Sequence, residues 1–178
     1  MSAQSQRQIL TYWLMPAEPT RSHFVMLIAD FAERFDAPVF EPHVTLFAAG
    51  AETDNAADLL VRAVAGANFC HPRVAGIGHS EEFTKTLFIQ FDPDEGVAAL
   101  NARFNAASNS HDKYEIDPHL SLLYKELPVA EKAALAAELS LPFREVTFES
   151  VKAVLSPADI RSRREVEAWQ VIAEAKLQ

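Results

Sequence analysis

The chain is poor in the features that mark secreted, membrane-spanning or nucleic-acid-coating proteins. It has a single cysteine, Cys70, so no disulfide can close within it and no CxxC pair can hold a metal. Cys70 reads as a small buried apolar residue. No apolar run approaches the roughly 18 residues that cross a bilayer, and the polar opening MSAQSQRQ lacks the apolar stretch of a signal peptide. The expectation is a cytoplasmic protein with no membrane partner. Positive charge is also scarce: 16 Lys and Arg stand against 25 Asp and Glu, a formal net charge of −9. Binding to long nucleic acid relies on basic side chains that release counterions, so no long nucleic acid is expected as a partner. Any phosphate must be held by a local site. Low-complexity linkers are missing too, and the 10 prolines are scattered at turns and strand starts. What remains is one domain over residues 1–178, 49% hydrophobic and able to bury a core. Nothing in the sequence speaks to its oligomeric state.

What is present is a repeat. Glu41-Pro-His-Val-Thr-Leu46 matches Asp117-Pro-His-Leu-Ser-Leu122 at an offset of 119 − 43 = 76 residues. The same offset carries the apolar stretch Ile9 to Met15 onto Lys85 to Phe91, both short strands. Helical spacing follows in each half, through Phe24, Leu27, Ile28 and Phe31 in the first and Val97, Leu100, Phe104 and Ala107 in the second. After the histidine strands, the helical stretch Ala56 to Ala67 matches Lys132 to Phe143, and the strand Phe69 to Ile77 matches Glu145 to Ala153. A basic loop, Arg161 to Arg164, precedes a last strand from Val166 to Ala175. Each half reads strand, helix, strand, helix, strand. The expected fold class is α+β, bilobal and duplicated, with two mostly antiparallel sheets flanked by helices around a central cleft.

Side chains two apart share a face of a strand, so His43 points with Thr45 and His119 with Ser121. Pro42 and Pro118 set where each strand begins, and they hold Glu41 and Asp117 extended. Hydrolysis of a cyclic phosphodiester needs a base for water, an acid for the departing alkoxide, and donors for the nonbridging oxygens. Two imidazoles and two hydroxyls fit that inventory, since imidazole exists in both protonation states near neutral pH.

The pair PHVTLF and PHLSLLY resembles the two-histidine (2H) phosphoesterase superfamily, whose signature is a duplicated His-x-Thr/Ser. The ending SLLY, the opening strand Tyr12-Trp-Leu-Met-Pro16 and Trp169 near the last strand are most similar to its cyclic phosphodiesterase branch. That resemblance implies hydrolysis without a cofactor or metal. Its implied substrates are small cyclic phosphates, a nucleoside 2′,3′-cyclic phosphate or ADP-ribose 1″,2″-cyclic phosphate, opened to a phosphomonoester. By position, His43 and His119 become the acid/base pair, in an order the motif leaves open, and Thr45 and Ser121 the phosphate ligands.

Weaker substrate-binding candidates are Tyr124 and Phe83, which could stack on a base or ribose, and Lys85, which could offer charge to a phosphate. Tyr12 and Trp13 face opposite ways, so at most one lines the cleft. Arg161, Arg163 and Arg164 could steer an anion or simply be solvated. His23, His71, His79 and His111 read as surface or packing residues. Glu41 and Asp117 next to the histidines suggest a metal site, but the intervening prolines disturb the alternation that would bring carboxylate and imidazole together. Two other readings compete: an RNA-end phosphodiesterase or ligase-like relative, which would need a basic track, and a non-catalytic nucleotide-binding module.

Overall fold

The structure is a computed structural model that describes residues 7–50, 55–108 and 113–178; His111 lies outside them. In chain order the elements are β1 (Gln8–Pro16), α1 (Thr20–Phe35), β2 (Val44–Gly50), α2 (Ala56–Val64), β3 (Val74–His79), β4 (Leu87–Phe91), α3 (Glu95–Ala107), β5 (His119–Leu123), α4 (Val129–Glu138), β6 (Phe148–Pro157), α5 (Arg163–Glu167) and β7 (Gln170–Lys176). No helix among the described residues is long and apolar enough to cross a membrane. The class is α+β, and every strand pair is antiparallel.

The strands run β3-β4-β5-β2-β1-β6-β7. At the centre β5 and β2 touch through one pair, Val44 with Leu120. The two expected sheets therefore meet as one seven-stranded sheet, hinged on that bridge. Val44 and Leu120 are themselves 120 − 44 = 76 residues apart. An antiparallel pair of repeat-equivalent residues must lie on the axis that relates the repeats, so the first six strands are arranged symmetrically about this point.

The lobes are not the two halves of the sequence. One lobe combines β4 and β5 of the second half with β3 of the first, and the other combines β1 and β2 with β6. Helices cross over as well: α1 packs on β5, α3 on β2, α2 on β6 and β7, and α4 on β3. The interleaving means that no cut between β3 and β4 would leave two complete sheets. Beneath the sheets lies a continuous core, with Tyr12, Phe24, Phe47, Phe104 and Phe148 among its largest fully buried members.

Several boundaries depart from the sequence pattern. Regular pairing of the third strand starts at Val74 rather than Phe69, because Cys70 and Arg73 make isolated bridges to Phe148 and Glu145 instead. The fourth helix covers Val129–Glu138 and stops short of Phe143, ahead of Pro142, which cannot donate within a helix. Val166 belongs to a short helix rather than to the last strand.

The first strands are equivalent at 75 residues, not 76. In the β1–β2 ladder Tyr12 pairs with Phe47 and Trp13 with Thr45, so Leu46 is an extra residue. In the β4–β5 ladder Leu87 pairs with Leu123 and Phe88 with Ser121, so Leu122 is the extra one. Such a bulge re-aims side chains beside it, and its recurrence in both halves puts an aromatic ring, Trp13 or Phe88, across from each motif hydroxyl. Trp13 and Phe88 are thus counterparts, 88 − 13 = 75.

Candidate active site

A cavity of about 550 Å3 opens between the lobes, and both histidines and both hydroxyls line it. Alternation along β1 sends Leu10, Tyr12 and Leu14 into the core and Ile9, Thr11 and Trp13 to the cavity. This settles the choice left open by sequence: Trp13 lines the cleft, while Tyr12 is buried with its hydroxyl donating to the Ala56 carbonyl at 3.2 Å. Phe83 and Lys85, in a 3-10 turn before β4, reach the same cavity, as does Tyr124. Tyr124 is a core residue as well, stacked on Phe40 at 3.8 Å between ring centroids.

Each imidazole is held in the same way. His43 Nδ1 lies 2.7 Å from the Glu41 carbonyl and His119 Nδ1 2.7 Å from the Asp117 carbonyl. A carbonyl only accepts, so Nδ1 carries the hydrogen in both rings and Nε2 is left with its lone pair. Neither Nε2 hydrogen-bonds to a described residue. The proline between carbonyl and histidine, by keeping the preceding residue extended, brings that carbonyl within reach of the ring. The disturbance of alternation at the prolines is real: it brings a carbonyl within hydrogen-bond reach of each ring, and the Asp117 carboxylate stays farther off, 3.6 Å from His119 Nδ1.

The carboxylates of Glu41 and Asp117 turn to lysines. Glu41 meets Lys152 of β6 at 2.5 Å, and Asp117 pairs with Lys85 and accepts from Gln90 at 3.0 Å. Lys85 also stands 4.5 Å above the Phe88 ring centre. Its charge is therefore committed to Asp117 and Phe88 in the free protein.

Surroundings differ between the two rings. His43 is buried, stacked flat on Trp13 at 3.8 Å and 10° between planes. Burial pushes its pKa down from 6.5 to about 4, with the Glu41 carbonyl bond opposing. His119 is half-buried and meets Phe88 edge-on at 5.6 Å. Its pKa is also lowered, chiefly by burial and secondarily by Lys85, against the Asp117 carbonyl bond and carboxylate. The hydroxyls differ too. Ser121 Oγ donates to the Thr84 carbonyl at 2.7 Å, whereas Thr45 makes no side-chain hydrogen bond to a described residue.

Arg161 reaches the cavity mouth but is paired with Asp159 at 2.8 Å, and Arg163 is paired with Asp36 at 2.8 Å. Glu82, Glu126 and Asp159 stand on the same rim. His23 packs against Phe143, and His71 is exposed and bonds to Thr147, 3.1 Å away, so one is a packing and the other a surface residue. Sequence reasoning passed over Thr11, Thr84, Lys152 and Glu126. Only Thr11 carried a signal, its alternation with Trp13.

The model of the family described as "Cyclic phosphodiesterase-like protein" matches residues 9–177. A cyclic phosphodiesterase of Arabidopsis thaliana is 24% identical over 176 residues, 97% of each chain. Among solved structures, Escherichia coli LigT complexed with 3′-AMP superposes with a TM-score of 0.60 at 14% identity, over 97% of this chain and 98% of that one. The protein TT0787 of Thermus thermophilus does so with a TM-score of 0.59 at 17% identity, over 95% and 97%. With the fold shared by these structures and the family model spanning nearly the whole chain, the protein belongs to the cyclic phosphodiesterase-like family and is a phosphodiesterase of the two-histidine phosphoesterase superfamily.

Proposed function

We propose that the protein hydrolyses a small cyclic phosphodiester, a nucleoside 2′,3′-cyclic phosphate or ADP-ribose 1″,2″-cyclic phosphate, to a phosphomonoester, with His43 and His119 as its acid/base pair and no metal. One observation carries this reading: both imidazoles are anchored through Nδ1 to the carbonyl two residues back, and both line one cavity with Nε2 unclaimed by any described residue. A group that must take or give a proton in a transition state needs that orientation.

The environments order the two roles. His43, with its pKa near 4, is neutral at ordinary pH and takes a proton from water as the water oxygen bonds to phosphorus. His119 has Asp117 Oδ2 at 3.6 Å from Nδ1, which favours its imidazolium once an anionic substrate is bound. It gives its Nε2 proton to the ring oxygen whose bond to phosphorus breaks, leaving a free hydroxyl and a phosphomonoester. Thr45 donates to a nonbridging oxygen, where negative charge accumulates, and Ser121 does the same when its hydroxyl turns from the Thr84 carbonyl to the substrate. Tyr124 and Phe83 offer faces to the nucleoside portion, and Lys85 lends charge near the phosphate.

The rim carboxylates Glu82, Glu126 and Asp159 and the ion-paired Arg161 give no continuous basic track for an RNA end among the described residues. A short substrate suits them better. The test is hydrolysis of the two cyclic phosphates in EDTA by the wild type, His43→Ala and His119→Ala. Turnover of one substrate by the wild type, unchanged by chelation, with both variants reduced about 100-fold or more, is expected. Binding without cleavage would make the protein a nucleotide-binding module, and loss in EDTA with rescue by a divalent ion would overturn the metal-free mechanism.

A further inference from the structure

The motif histidines occupy equivalent residues of a repeat, yet only His43 is enclosed. The segment responsible has no counterpart in the repeat. Strands β3-β4-β5 and β2-β1-β6 are symmetric about the Val44–Leu120 bridge, while α5 and β7 are added beyond β6 alone. Trp169 sits between α5 and β7 and packs against Trp13, Met15 and Val154, a small apolar cluster separate from the main core. It stands at 72° to Trp13 with ring centroids 4.9 Å apart, and at 81° to His43 with centroids 6.0 Å apart. It also reaches Phe40 and Tyr124 at 6.4 and 6.1 Å, which brings the loop before β2 and the end of β5 into one wall. His119 has the counterpart of Trp13, the Phe88 ring, but no second aromatic ring among the described residues packs against it as Trp169 does against His43.

We infer that Trp169 is a positioning residue: it seals the Trp13–His43 stack from water, so that two side chains made alike by the repeat become unlike, with His43 held neutral and His119 left able to carry the proton. The words base and acid rest on the proposed hydrolysis; the sealing of His43 is a property of the free protein. The charged and titratable groups facing His43 are Glu41 on its own loop, Lys152 on β6 and His119 on β5. Glu41 favours the imidazolium and the other two oppose it. These influences offset one another in part, burial is the largest cause, and Trp169 adds to the burial that the stacked Trp13 ring begins. Its Nε1 is buried without an acceptor among the described residues. The indole therefore acts through its rings, and phenylalanine is the conservative replacement.

The experiment is an NMR titration of the histidine rings in substrate-free wild type, Trp169→Phe, Trp169→Leu and Trp169→Ala, beside the pH profile of kcat/KM. His43 should titrate near 4 in the wild type and stay low in Trp169→Phe. In Trp169→Ala its midpoint should rise above about 5 as water reaches the ring, with Trp169→Leu between and His119 unmoved. The acid limb of kcat/KM should move with it. A His43 midpoint that stays put in both the Leu and Ala variants, or that moves in step with His119, overturns the inference. Should Trp169→Ala fail to fold, Trp169→Leu carries the same test. A rise in the His43 midpoint in a protein that hydrolyses neither cyclic phosphate would support the sealing and sink only the acid/base reading.

Discussion

The two motif strands are close copies in sequence and unequal in surroundings. Both begin with an acidic residue and proline, both tie Nδ1 to the carbonyl two residues back, and both carry a bulge one residue after the hydroxyl. Backbone-determined features have been preserved because the same short sequence imposes them twice. What differs comes from elsewhere in the chain: Trp13 and Trp169 around His43, and Lys85 and solvent around His119. A duplicated motif supplies two equivalent groups, but acid/base catalysis needs them in opposite protonation states. In the mechanism proposed above, that distinction comes from the unequal long-range packing around the two rings.

Removing either histidine is the most severe way to break the comparison. His43→Ala and His119→Ala should each lower kcat/KM by about 10²- to 10⁴-fold. The wild-type profile should be a bell whose acid limb lies near 4, from His43, and whose alkaline limb lies below 6.5, from the lowered His119. An optimum above pH 7 would mean that the assignment of the two limbs is wrong.

Stability should register the same asymmetry. An unfolded histidine titrates near 6.5, while folded His43 resists protonation until about 4. Between those values the unfolded chain binds more protons, so this contribution is complete above about 6.5 and is lost as pH falls toward 4. The loss is on the order of 3 kcal/mol for His43. Chemical denaturation of His43→Gln across this window should show a flatter pH dependence than the wild type. An unchanged slope would move the acid sensitivity to another group.

The hydroxyls sharpen the comparison further. Thr45→Val should reduce kcat/KM about 10- to 100-fold with its denaturation midpoint unmoved, since the hydroxyl bonds to no described residue. Ser121→Ala should lose activity on the same scale and also about 1 kcal/mol of stability, because the Thr84 carbonyl loses its donor. Equal stability of the two variants would remove Ser121 from any role in holding the turn that carries Phe83 and Lys85.

Much of this was readable before the fold was seen, for a definite reason. Period-2 alternation and a repeated Pro-His-x-Thr/Ser locate both motif strands, and helical spacing locates Phe24, Ile28 and Phe31 on one buried face. The exchange of β3 and β6 between lobes was not readable, since a local pattern does not say which neighbour a strand selects. Bulges at Leu46 and Leu122 shift the first strands by one residue without altering their apolar pattern. Trp169 entered the sequence reading only through the family resemblance; its place against His43 was hidden because its partners, Trp13 and His43, lie more than a hundred residues away in sequence. The pairing of Glu41 with Lys152 spans 111 residues and is invisible for the same reason.

Those lysines provide the smallest and most selective perturbation. Lys152 lowers the His43 pKa and Lys85 lowers that of His119, so each should act on one limb of the profile. Lys152→Met should raise the acid limb slightly. Lys85→Met removes a positive charge from His119 and leaves Asp117 unpaired beside it, and both changes favour the imidazolium, so the alkaline limb should move to higher pH. These displacements should be about 1 pH unit or less. KM adds a second readout, because a lysine whose charge goes only to Asp117 and the Phe88 face would alter the limb and spare KM. One that also meets the phosphate would raise KM several-fold, as expected for a charge-assisted contact near the surface. Movement of both limbs by either substitution would show that the two sites are coupled through the cavity rather than tuned separately.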